Sequence, residues 1–257
     1  MSIYTTEIAS DTLVSDNPIH QRLLKPYYLA KTHVKGKLLE IGCGEGRGIE
    51  LLSPLSEEYV ALDKITHVIE QLGKQFKNIT FRQAVVPPLQ GIADNTFDIV
   101  ISFQVIEHIQ QDQLFLQEIQ RVLKPGGKAI FTTPNSKMTL TRNPWHIREY
   151  TAKGLEDILN SIFREVEVMG ITGNEKVMDY YQANKKSVEK ITRFDILNLQ
   201  HRLPSWLLRI PYDLLNRLNR NKLKNSNSQL VEEISYKDYL LSDDGDTSLD
   251  LFCVVRK

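Results

Sequence analysis

Apolar side chains fall along this chain in short blocks, separated by stretches that read as helices. The blocks are Leu38 to Ile41 with Glu40 inside it, Tyr59 to Leu62, Ile79 to Ala84, Phe97 to Phe103, Lys128 to Thr133 and Leu249 to Val255. Runs of this kind predict short strands buried on both faces, as in a parallel sheet. Phe163 to Ile171 instead alternates, with Val166 and Val168 set against Glu165 and Glu167, and predicts a further strand. Asn17-Pro18 starts a helix reaching Leu29, and Thr66 to Phe76 and Asp112 to Leu123 read as helices. A short helix ends near Leu52 ahead of Ser53-Pro54, and Thr151 caps one running to Ser161. Strands alternating with helices predict an α/β fold with a doubly wound, mostly parallel sheet. Residues 1 to about 17 are polar and read as irregular.

Composition narrows the class. A chain of 257 residues, 41% hydrophobic and 25% charged, can bury one sizeable core with an attachment. Lys plus Arg and Asp plus Glu are both 32, so no net field draws in nucleic acid, which is not expected as a partner. The two cysteines, Cys43 and Cys253, are too few for a disulfide framework and fit a reducing cytoplasm. The N-terminus lacks the charge and hydropathy pattern of a signal peptide, and no uncharged apolar run reaches about 18 residues.

The candidate chemistry starts in Leu38 to Gly48, where the first strand runs into Gly42, Gly44, Gly46 and Gly48. Glycines there permit positive φ and close approach of a ligand to the backbone, and a helix N-terminus after them would favour a negative group. A nucleotide-like ligand is expected. The dinucleotide pattern G-x-G-x-x-G fails: from Gly42 its third glycine falls on Arg47, and from Gly44 on Ile49. Asp63 closes the second strand about 20 residues on, where a carboxylate can accept both hydroxyls of a ribose. Glu107 and His108, after the fourth strand, are candidate acid or base groups, although a histidine there can equally bond backbone.

The residues actually present fit E-x-G-x-G-x-G (Glu40, Gly42, Gly44, Gly46), followed by Asp63, by Phe97 to His108 (FDIVISFQVIEH) and by Leu123 to Gly127 (LKPGG). In this the chain resembles the class I S-adenosylmethionine-dependent methyltransferases. The resemblance covers residues 36–172 and 248–257 and implies a Rossmann-like seven-stranded sheet of order 3-2-1-4-5-7-6, its last strand antiparallel. It implies S-adenosyl-L-methionine as cofactor, held by Glu40, Gly42, Cys43, Gly44, Gly46, Asp63, Lys64, Ala84, Val85, Phe103 and Gln104. The acid often found after the third strand in that family is missing, so backbone near Ala84 and Val85 is expected to hold the adenine. LKPGG is expected to stop a helix and turn tightly into the fifth strand.

By the same resemblance, the long connection from Thr133 to Tyr150 faces a methyl acceptor. His146, Arg148 and Tyr150 are the candidate acceptor-binding residues, and His146 or His108 the candidate base if the acceptor is a hydroxyl. A loop merely pinned to the core by Trp145 and Tyr150 is the alternative. No metal is expected, because the six histidines are scattered. A small-molecule acceptor such as a sugar, glycan precursor or quinone-like metabolite is the expected partner. Nucleic-acid or protein methylation and a non-catalytic cofactor-binding scaffold stand as alternatives.

Residues 1–35 then form a helical cap and residues 173–247 a mainly helical insertion. Lys176 to Lys224 within it holds 11 Lys or Arg against 4 Asp or Glu. Residues 203–218 mix Trp206, Tyr212 and leucines with arginine. They read either as a lid or homodimer contact, or as a peripheral membrane element. Pro204 and Pro211 are expected to interrupt any single long amphipathic helix there.

Overall fold

The computed structural model describes residues 13–195 and 198–257. The expectation of an irregular segment over residues 1 to about 17 lies mostly outside the described residues. Five parallel strands form one half of a single sheet: β1 (Lys37–Ile41), β2 (Glu58–Asp63), β3 (Thr80–Gln83), β4 (Phe97–Phe103) and β5 (Leu123–Pro134). Three antiparallel strands complete it: β6 (Glu165–Gly173), β7 (Tyr239–Ser242) and β8 (Asp250–Arg256). The order is β3-β2-β1-β4-β5-β8-β6-β7. This is the expected order with one strand added at the edge: β7 comes from residues read as helical insertion. Tyr239 anchors it, buried, with its hydroxyl donating to the Pro18 carbonyl at 2.6 Å.

The period of two along β1 sorts its side chains between the faces of the sheet. Leu38 packs with helices α1 (Asn17–Ala30), α2 (Ile49–Leu52) and α3 (Thr66–Gln75). Leu39 and Ile41 pack with α4 (Asp112–Val122) and α5 (Ala152–Asn160) on the other face. α5 opens on Thr151, whose side chain accepts from the Gly154 N–H. The insertion supplies α6 (Glu175–Thr192), α7 (Leu199–Arg202), α8 (Ser205–Ser226) and α9 (Ser228–Glu233), and its Val177, Tyr180, Leu223 and Val231 extend the first cluster.

Two local expectations change. LKPGG lies inside β5, not in a tight turn before it: Phe97 pairs with Leu123 and Ile99 with Lys128, so five strand residues oppose two. Gly126 at φ +77° absorbs the excess as a bulge. The short helix after the glycine turn ends at Leu52 as expected, where Ser53-Pro54 lead into a 3₁₀ turn. Pro211 does not break α8. It sits exposed in the second turn, where water can take the Leu207 carbonyl that loses its helical partner.

Parallel β1 to β5 place their carboxyl ends on one edge, and the order reverses between β1 and β4, where a crevice forms in such sheets. Gly48 seals the crevice from behind: a Cβ there would lie 1.9 Å from the Tyr27 ring. Gly48 has an ordinary helical φ of −95°, so the constraint is steric. Gly48→Ala should therefore displace α1 and cost about 1–3 kcal/mol of stability, read as a lower denaturant midpoint at unchanged slope.

Candidate active site

Two adjoining cavities, each of about 290 Å³, open at this edge. The first lies against the glycine turn, and nine of the expected cofactor residues line it. Gly42, Cys43 and Gly44 come from the end of β1, and Asp63 and Lys64 from the end of β2. Ala84 and Val85 follow β3, and Phe103 and Gln104 close β4. Asp63 joins the first two groups: Oδ2 accepts the Gly44 N–H at 2.9 Å and Oδ1 the Ile65 N–H at 2.9 Å.

The turn is not built as an anion cradle. The N–H groups of Gly42 and Cys43 donate to the Leu62 carbonyl, that of Gly44 to Asp63 and that of Gly46 to Cys43. With those donors used inside the chain and α2 only one turn long, the expected attraction for a negative group is missing. What the turn offers is bare surface. Gly44, at φ +48°, has no atom within 4 Å of where a Cβ would stand, so a side chain there would fill the cavity. This fits a ligand without phosphates that lies flat on the backbone. The donor set agrees: Asp63 keeps further acceptor capacity on both oxygens, and Val85, 73% exposed beside the cavity, offers apolar surface to cover.

Two expected contacts are absent from this cavity. Glu40 is buried behind the turn, accepting the hydroxyls of Tyr27 at 2.7 Å and Tyr59 at 2.6 Å. Burial raises its pKa against the pull of those bonds. Gly46 faces the core, where a Cβ would stand 2.8 Å from Ile49 and Leu72. The Ala84 N–H donates to the Asp63 carbonyl, so an adenine contact there falls to Val85. Burial also pushes the Cys43 thiol far up, which makes it a packing group.

The second cavity lies beyond Gln104 and His108, which with Leu23 line both. Gln104 holds a left-handed φ of +57° and donates toward Thr132 and Asp250, each at 3.3 Å. Arg22 of α1 grips Asp250 through two nitrogens at 2.5 Å. Around this cavity stand Glu107, His146 and Glu149, with Tyr212, Asn216, Asn219 and Arg220 reaching in from α8. Of the 203–218 segment, Tyr212 and Asn216 line this cavity.

Hydrogen bonds fix both imidazoles. His108 Nδ1 lies 2.9 Å from the Trp145 carbonyl and must carry the proton there, as in the structural reading of this residue. Asn143 Oδ1 accepts the Trp145 N–H, so its amide nitrogen faces His146 Nε2 at 2.8 Å. His146 Nδ1 then donates to Glu149 at 2.6 Å. Burial works against the Glu149 charge, but the bonds from His146 and Thr139 outweigh it and hold its pKa low.

Glu107 differs. It is 1% exposed; Oε2 accepts from Thr133 at 3.0 Å, while Oε1 has no partner. Burial, partly offset by His146, raises its pKa to about 7. Ligand atoms of Glu107, His108 and His146 lie within 4.8 Å of one another. Spacing could not reveal this cluster, because His146 arrives from a distant loop docked by its Ile147 and Arg148 N–H groups on the Glu107 carbonyl. The His146 Nε2 lone pair is taken by Asn143, so the group is arranged for moving a proton.

Arg148 and Tyr150 line neither cavity. Both bind Asp112 at the start of α4, Tyr150 at 2.7 Å, and Arg148 also donates to the Gln110 carbonyl. Those bonds outweigh the burial of Asp112 and keep its pKa low, so the pair clamps the loop, as the alternative reading of Tyr150 had it. Trp145 is pinned to the insertion, donating to Asp213 at 3.2 Å beneath the Arg209 guanidinium.

Residues 39–131 match a family model described as a methyltransferase domain. Over that span the chain is similar to S-adenosylmethionine-dependent methyltransferases. A probable S-adenosylmethionine-dependent methyltransferase of Mycolicibacterium smegmatis is 33% identical over 51% of this chain and 52% of its own length. The human mitochondrial ubiquinone biosynthesis O-methyltransferase is 32% identical over 49% of this chain and 34% of its own. The chain spans about half or less of the length of these curated relatives. In fold, the chain aligns with a Thermotoga maritima methyltransferase, possibly acting on histamine, at a TM-score of 0.56 and 14% identity, covering 93% of this chain and 92% of that one.

Glu40→Gln separates packing from ligand contact. It should lower stability by about 1–3 kcal/mol in a denaturant titration, while the S-adenosylmethionine dissociation constant from calorimetry changes by less than about twofold.

Proposed function

We propose that the protein transfers a methyl group from S-adenosylmethionine to a hydroxyl of a small-molecule acceptor bound in the second cavity. The observation that carries this reading is the buried, half-satisfied Glu107 carboxylate facing that cavity beside the cofactor site. When bound, S-adenosylmethionine supplies a methyl group on a cationic sulfur that departs as a neutral thioether. Asp63 would hold the ribose hydroxyls, Val85 would cover the adenine and Gln104 would face the methionine portion. Proximity then provides most of the acceleration, since Gln104 and His108 border both cavities.

A hydroxyl is a poor nucleophile until its proton has somewhere to go. In the ionised state Glu107 Oε1 takes that proton as the acceptor oxygen bonds to the methyl carbon and the carbon–sulfur bond breaks toward sulfur. The His146–Glu149 pair, with Asn143 on Nε2, keeps the imidazole oriented beside it. The similarity to a human O-methyltransferase of ubiquinone biosynthesis supports a hydroxyl on a quinone-like ring over a sugar.

Methyl-labelled S-adenosylmethionine, incubated with the protein and fractionated cell extract, should label low-mass hydroxylated compounds. Label confined to RNA or protein would overturn the reading. Asp63→Ala should weaken cofactor binding by about 1.5–3 kcal/mol for each charge-assisted bond lost, and unchanged affinity would remove its ribose role. Glu107 is needed ionised, so turnover should fall as pH drops through about 7. Glu107→Gln should reduce kcat about 100-fold or more, flatten that profile and leave cofactor affinity in place.

A further inference from the structure

Helix α8 is amphipathic the wrong way round for a helix packed on a globular domain. Its inner face is polar: Tyr212, Asn216, Asn219 and Arg220 line the second cavity, and Arg217 and Arg220 pair with the buried Asp16 at 2.8 and 3.2 Å. Its outer face is apolar. Trp206, Ile210, Leu214 and Leu218 recur every fourth residue and are 68%, 81%, 59% and 57% exposed. Leu207 and Leu215 widen the stripe. A patch of this size on a soluble surface marks an interaction site.

Charge decides what covers it. Residues 185–224 hold ten Lys or Arg and three Asp or Glu. Two of the three acids are engaged: Asp195 accepts the N–H groups of Leu199 and Gln200, and Asp213 the Trp145 indole. Arg193, Arg202, Arg209 and Lys222 stay exposed around the stripe. A second copy joined by two-fold symmetry would set this basic rim against itself. A lipid surface carrying anionic headgroups satisfies both features, with the leucines and isoleucine in the acyl boundary, Trp206 at the interface and the rim on the headgroups. No helix among the described residues is long and apolar enough to cross a membrane, so the contact is peripheral.

We infer that α8 docks the protein on an anionic lipid bilayer through Trp206, Ile210, Leu214 and Leu218. The same helix lines the second cavity with its opposite face, so the docked protein holds that cavity one helix away from the bilayer. On the reading of that cavity as the acceptor site, the acceptor is an amphiphile carried in the membrane, its hydroxylated head reaching past α8. Docking itself needs neither methyl donor nor acceptor.

The test is co-sedimentation of the full chain with vesicles of phosphatidylcholine, with and without about 30% phosphatidylglycerol, at low salt. Wild type should sediment with the anionic vesicles about tenfold or more in excess of the neutral ones, lose the difference in high salt and shift its tryptophan emission to the blue. The double variant Ile210→Asp, Leu214→Asp alters only exposed side chains, so it should keep the thermal midpoint and cofactor affinity but stay in the supernatant. Wild type remaining in the supernatant with both vesicles overturns the inference. So does a wild-type dimer in light scattering that the double variant converts to monomer without any vesicle binding. If vesicles bind but membrane-borne hydroxyls are never methylated, docking stands and the acceptor reading falls.

Discussion

The two oxygens of the Asp63 carboxylate bind backbone after both β1 and β2, beside the Leu62 carbonyl that accepts from Gly42 and Cys43. One oxygen fixes Gly44 after β1 and the other fixes Ile65 after β2. Each bond is charge-assisted, and Asp63 is only 9% exposed, so competition from water is limited. The turn from Gly42 to Gly46 can take its three positive φ values because this carboxylate, with the Leu62 carbonyl, defines its path. Everything on the cofactor side of the site follows: the bare surface at Gly44, the spent N–H groups that favour a ligand without phosphate, and the close fit of Gly48 against Tyr27.

The acceptor side is assembled differently. No single turn makes it. A loop after β5, one helix from the start of the chain and two from the insertion come together around the segment after β4, tied by polar contacts: Arg22 to Asp250, the Ile147 and Arg148 N–H groups to the Glu107 carbonyl, Asn219 to Asn184 and Arg217 to Asp16. This wall is the more polar of the two, and it leaves one oxygen of the Glu107 carboxylate without a partner. Placing polar groups on the inner face of α8 has a consequence outside, since the apolar residues that the helix still carries must face solvent or a partner.

The fold was legible where local chemistry and global position agree. The glycine spacing, Asp63 at a strand end and FDIVISF are near-local signals, and the first five strands and nine cofactor-cavity residues follow from them. Glu40 and Gly46 belong to the same pattern but serve it from behind: a buried acid accepting two tyrosine hydroxyls reads in sequence like one that meets a ligand. β7 was hidden because Tyr239 to Ser242 is short, follows a helical stretch and gains its anchor from Pro18, far away in sequence. Arg148 and Tyr150 were assigned to the acceptor because they share a loop with His146, yet Asp112 claims both. Glu107 was visible as a candidate beside His108, but its distinguishing property, an unpaired oxygen on a buried carboxylate, arises only when Thr133 and His146 close around it. Pro211 misled because a proline on an exposed helical face costs less than one in the interior.

Division of labour between the two cavities is the central claim, and amide hydrogen exchange with and without S-adenosylmethionine tests it most directly. The account predicts added protection at residues 42–48, 63–65 and 84–86, where backbone borders the first cavity, with little change at residues 138–149 and along α8 until an acceptor is added. Protection confined to residues 138–149 and α8, with the glycine turn and the residues after Asp63 unaffected, would contradict it.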